Sequence, residues 1–91
     1  MYKYNTLTNN RKIEKILYRI TKCNKYIQVK ENRNIQYIDV IVLELNDIVC
    51  IVNELDKYEI PHTENYILGT IKLKKSDINN FIALLKIQGR I

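Results

Sequence analysis

A small α+β domain, with helices packed on a three- or four-stranded sheet in the order αββαβα, is predicted by three observations. Apolar residues recur at helical spacing in three separate segments, and runs that alternate or are rich in β-branched residues lie between them. Turn signals ("ENRN", Pro61, Gly89) fall where those patterns change. At 91 residues the chain is long enough for one domain, 1–91, with a limited core.

The first helix is expected over about 10–23. Ile13, Ile16, Leu17 and Ile20 form one apolar stripe. Thr8, Asn9 or Asn10 is the expected start cap and Asn24 the expected stop. "KYIQVK" then alternates, with Ile27 and Val29 opposite Tyr26, Gln28 and Lys30. A two-residue turn at Asn32-Arg33 would pair Ile27 with Ile38 and Lys25 with Val40. That register puts Ile27, Val29, Ile38 and Val40 on one face. In "IQYIDVIVLEL" the run from Val40 to Leu43 is apolar on both faces, which predicts a central strand covered on both sides or continuing into a buried end.

"NDIVCIVNELDKYEIP" fits a helix over 46–60, with Ile48, Ile51, Val52 and Leu55 as its stripe and Asn46 or Asp47 as its cap. Its β-branched "DIVCIV" leaves a strand as the competing assignment. "TENYILGTIKLK" predicts a strand with Ile67, Ile71 and Leu73 facing the core and Gly69 as a bulge. A last helix follows, capped by Ser76 or Asp77, with Ile78, Phe81, Ile82 and Leu85 inward and Gly89 as its stop. If "YKYNTL" adds a leading strand, the order becomes the ferredoxin-like βαββαβ with an extra C-terminal helix. The aromatic and glycine signature of an RNA-recognition motif is absent from "IQYIDVIVLEL".

Composition narrows the function. No apolar run approaches the ~20 residues of a membrane span, and the N-terminus lacks the apolar stretch of a signal peptide, so the cytoplasm is the expected compartment. Cys23 and Cys50 stand far apart with no cysteine or histidine partner nearby in sequence, and neither a zinc site nor any other cofactor is expected. His62 is the single histidine, expected as an exposed or half-buried loop residue. Asp39 interrupts an apolar strand, at a position expected to face solvent or lie on an edge. Gly69 and Gly89 are the only glycines, too few for a phosphate-cradling loop. With no nucleophile, base and acid that can be assembled, no enzyme is expected.

Charge is the most informative feature. Ile, Asn, Lys and Tyr make up 45 of the 91 residues. All four have A/T-rich codons, so a low-GC source such as a bacterium, phage or archaeal virus accounts for many of the lysines without selection. It does not account for their segregation: residues 1–35 carry +7, 36–69 carry −6 and 70–91 carry +4. In "RKIEKILYRITK", Arg11, Lys12, Lys15, Arg19 and Lys22 fall within one ~100° arc of the helix, centred roughly 140° from the apolar stripe. A nearly single-signed face is unusual for a helix that only needs solubility. With Lys25, Lys30 and Arg33 it makes a candidate phosphate-binding surface for DNA or RNA. The competing expectation is a protein-interaction or inhibitor module, viral or phage in origin, using its acidic and basic patches for a partner or a second copy.

Overall fold

The computed structural model describes residues 2–22 and 26–91, with side chains from Asn10 onward. It is an α+β domain of three helices and a four-stranded antiparallel sheet: α1 (Tyr2–Thr21), β1 (Ile27–Glu31), β2 (Tyr37–Val42), α2 (Leu45–Lys57), β3 (Thr63–Asn65), β4 (Thr70–Lys74) and α3 (Lys75–Ile87). Strand order is β1-β2-β4-β3, with every neighbouring pair antiparallel. The expected order αββαβα holds, the third strand being drawn out as the short hairpin β3–β4.

Burial in β2 alternates strictly, with Ile38, Val40 and Val42 buried and Tyr37, Asp39 and Ile41 half-buried. β2 is therefore central, between β1 and β4, but covered on one face only. Leu43, expected at a buried end, is 73% exposed. The inward residues Ile27, Val29, Ile71 and Leu73 extend the covered face, and Leu17, Ile48, Ile51, Leu55, Phe81 and Leu85 pack over it from the helices. The helical stripes of α2 and α3 read from the sequence are the buried ones, with Ile82 half-buried. The competing strand at 48–52 is not formed, because Val49 and Cys50 both face outward and only a period of 3.6 buries their neighbours.

Several local expectations are corrected. Residues 2–7 continue α1, so "YKYNTL" is no leading strand and no ferredoxin-like order arises. Thr8, Asn9 and Asn10 lie inside that helix. Asn10 is buried and donates from Nδ2 to Glu31 (3.3 Å) instead of capping. α1 ends with Lys22 in the left-handed region (φ 55). The expected stop at Asn24 lies outside the described residues, as do Cys23 and Lys25.

The β1–β2 turn spans 32–36, with Ile27 opposite Val42 and Val29 opposite Val40. The shift from the expected pairing is four residues, an even number, so the predicted faces survive. Asx-type bonds build this longer turn: Asn32 Oδ1 accepts from the Asn34 amide (2.9 Å), and Asn34 Oδ1 accepts from Gln36 (3.0 Å). Neither Asn46 nor Asp47 caps α2 and neither Ser76 nor Asp77 caps α3. The N-caps are Glu44 and Lys74, without side-chain capping bonds. β4 runs directly into α3, and the Lys75 amide donates to Gln36 O (2.8 Å) across the sheet.

Asn65, the last residue of β3, starts the turn into β4. Its Oδ1 accepts from the Ile67 and Leu68 amides (3.1 and 3.0 Å), and Gly69 donates back to Asn65 O (2.9 Å). Gly69 is thus a turn residue (φ 71) and not a bulge, and Ile67, expected in the core, is 96% exposed.

The C-terminal turn is tied back to α2. Gly89 (φ 70) ends α3, with Arg90 N–H donating to Leu85 O (2.9 Å). The Arg90 guanidinium forks onto Glu54 (2.5 and 3.2 Å) and also donates to the Tyr58 hydroxyl (3.1 Å). These bonds hold the Glu54 carboxyl below its ordinary pKa near 4.5 and Arg90 above its own. A depressed carboxyl pKa contributes stability above its unfolded value and loses it as pH falls through the folded one. Glu54→Gln is therefore expected to destabilise the fold by about 1 kcal/mol at neutral pH. In urea melts the gap to the wild type should close as pH drops below about 4.5. A gap unchanged down to pH 3 would contradict this role.

Candidate nucleic-acid interface

The basic helix sits beside an edge strand, and its acid is the reason it stays there. β1 has a neighbour on one side only, so alternate amides point away from the sheet. Two residues one turn apart on α1 take them: Glu14 accepts from Val29 N–H (2.8 Å), and the Tyr18 hydroxyl accepts from Ile27 N–H (2.8 Å) and donates to Ile27 O (3.3 Å). With Ile13 and Leu17 buried against the core, this leaves one direction for the rest of the helix. Arg11, Lys12, Lys15, Arg19 and Lys22 all point outward and are exposed. The single acid of "RKIEKILYRITK" is engaged by the strand and does not dilute the face.

Among the described residues, none of these five cations is ion-paired. Several acids elsewhere have other partners. Glu31 holds Lys75 (2.6 Å), and Glu54 holds Arg90 and lies near Lys57 (3.8 Å). Asp39, half-buried on the open sheet face, accepts from Asn32 Nδ2 (3.0 Å). Asp56 and Glu64 lie 3.4 and 3.3 Å from His62 Nε2. Among the described residues, none of these acids pairs with the five cations of α1.

The structure divides the remaining candidates. Lys30 is exposed on the open face of the sheet, away from the helical layer, in a cross-strand row with Asp39 and Lys72. Arg33 is exposed in the β1–β2 turn, at the opposite end of β1 from Ile27 and the end of α1. Lys30 does not join the α1 cluster, whereas Arg33 lies two residues beyond Glu31, to which Asn10 of α1 donates. Two contributions were not visible in the sequence. Lys86 of α3 borders the same groove as Lys12 and Lys15, over a floor of Ile13, Ile16 and Ile82, so the cationic face extends across two helices. Its sequence signal was weak: a lone lysine one turn after Ile82. Lys72 and Lys74 face outward with Lys30, and Lys72 Nζ lies 5.1 Å from the centre of the Tyr37 ring. Tyr37 is thereby partly covered by a cation of its own sheet.

His62 is fixed in the loop after α2, with Nδ1 2.8 Å from Ile60 O and Nε2 toward Asp56 and Glu64. These contacts join the end of α2 to β3. Cys50 is exposed on the outer side of α2. Among the described residues no helix is long and apolar enough to cross a membrane.

No protein-family model, no curated protein and no solved structure matches this chain.

Proposed function

We propose that this protein is a small non-enzymatic binding protein that holds or regulates nucleic acid through the cationic face of α1. The observation that carries the reading is the set of five exposed cations, Arg11, Lys12, Lys15, Arg19 and Lys22, none ion-paired among the described residues, on a helix whose only nearby acid is engaged elsewhere. Phosphate contacts of this kind are driven by counterion release and carry no base specificity. Lys86 extends the same face, whereas Lys30, Lys72 and Lys74 form a separate basic group on the open sheet.

The test is Lys12→Gln/Lys15→Gln/Arg19→Gln. Glutamine is a good helix former, and all three positions are exposed, so the fold should be retained. Binding to DNA or RNA should weaken at least about tenfold at low salt, and the slope of log K against log salt should fall by about 0.7–0.9 for each phosphate no longer neutralised. Wild-type protein that binds neither single- nor double-stranded DNA or RNA at about 50 mM salt would refute the reading, since screening is weak there.

The second reading, a protein-interaction or inhibitor module, is favoured by a different observation: apolar side chains left uncovered at one end of the sheet. One molecule can use both surfaces.

A further inference from the structure

At the end of the sheet where β2 leads into α2 and β3 turns into β4, large apolar side chains lie side by side in solvent. Ile67 is 96% exposed, Leu43 73%, Leu68 70% and Leu45 58%, and Tyr26 and Tyr66 are close to half exposed. All six border one shallow concavity, floored by Val42, Ile48 and Gly69. Single exposed leucines are ordinary on a protein surface. Six adjacent ones are not: taking roughly 200 Å² for a large side chain in full exposure, they offer on the order of 800 Å². The largest apolar patch on a monomer usually measures about 300–600 Å².

The patch is also rigid. The amides of Ile67 and Leu68 are held by Asn65, Gly69 bonds Asn65, and Val42 N–H donates to Gly69 O (2.8 Å). Leu43 N–H donates to Tyr26 O (3.3 Å). Backbone polarity is satisfied before any partner arrives, and little ordering remains to be done on contact.

We infer that this end of the sheet is a homodimer interface, in which the Leu43/Leu68 concavity of one molecule packs on that of a second copy about a two-fold axis. The area supports it, because a standard stable interface covers about 800 Å² on each partner. Charge supports it as well. Among the described residues the lining of the concavity carries no charge, so two chains of net charge +5 would meet through an uncharged surface. This inference does not depend on the function proposed for α1.

Sedimentation equilibrium from about 1 to about 500 µM tests it. The wild type should move from 10.9 kDa toward a plateau at twice that mass. Leu43→Asp/Ile67→Asp should raise the dimer dissociation constant more than about tenfold. Its helical circular dichroism should be unchanged, since both positions are exposed. Leu43→Ser/Ile67→Ser serves the same purpose should the charged pair fail to fold, and Lys12→Gln/Lys15→Gln/Arg19→Gln should dimerise like the wild type. A wild type that stays monomeric throughout would overturn the inference. So would a folded patch variant that dimerises unchanged, a mass that climbs past the dimer without a plateau, or a monomer that binds phosphatidylcholine/phosphatidylserine vesicles only when the patch is intact.

Discussion

Phe81→Ala will remove about 3–5 kcal/mol from the stability of this domain. Phe81 is the bulkiest of the fully buried side chains, at 0% exposure in α3 over β4. Its ring also meets Tyr58 edge-on, with centroids 5.8 Å apart and planes at 61°, a geometry that adds about 0.5–1.5 kcal/mol beyond area burial. Truncation leaves a cavity that rigid neighbours on both α2 and the sheet cannot close. For a domain of this size the loss should appear as a melting point lower by about 15–30 °C. Since small domains have little stability in reserve, much of the variant should be unfolded at 37 °C. Ile67→Ala is the control. At 96% exposure it should change the melting point of dilute monomer hardly at all, within about 0.5 kcal/mol. A Phe81→Ala protein that melts within a few degrees of the wild type would mean that the core closes over the gap.

Gly69→Ala is expected to cost about 2–4 kcal/mol, and Gly89→Ala only about 1 kcal/mol, although the two glycines share a backbone conformation. Their φ angles are 71° and 70°. An added Cβ at Gly69 would stand 2.6 Å from the carbonyl oxygen of Val42, whereas at Gly89 it would find nothing within 4 Å. The left-handed penalty is common to both, so the difference isolates the steric term. At Gly69 that term falls on backbone, which cannot swing aside without breaking the Val42 N–H···O=C Gly69 bond that joins β2 to the turn. Paired chemical denaturation of the two variants measures it. Equal losses would show that the turn yields freely, and would remove the rigidity claimed for the apolar end of the sheet.

How much of this was legible beforehand depends on whether the signal was local. The stripe Ile48/Ile51/Val52/Leu55 identified α2 because one helix face is written in one stretch of chain. The strand faces were also legible even though the hairpin pairing was displaced by four residues, since parity alone decides which side a residue takes. Ile67 failed for the converse reason. Counting in twos back from Leu73 and Ile71 assumed continuous strand, while Asn65 and Gly69 fold the chain between them. Both residues are turn formers, so the signal was present and was taken for a bulge.

The expected caps failed because α2 and α3 follow strands with almost no loop, and at α3 the Gln36 carbonyl takes the Lys75 amide in place of a cap. For the candidate interface, helical geometry was sufficient to place five cations on one arc. It could not place Lys86 beside Lys12, nor separate Lys30 from the cluster, because those relations run between elements. Nor could it show that Glu14 reaches Val29, fifteen positions away in the chain.

That bond has a bearing on how the cationic face meets anything at all. A helix held only by an oily stripe can roll a little about its long axis, because leucine and isoleucine contacts have no preferred bearing. Glu14 and Tyr18 work like a key in a slot: each engages a particular amide of β1, and together they index the helix to one rotational setting. Arg11, Lys15 and Arg19 therefore aim where the sheet aims them. A polyanion docking there, as proposed, would encounter a fixed emplacement in place of a swivelling one. The toll for orienting the helix has been settled at folding, which leaves only the lysine and arginine tips to be arrested on contact.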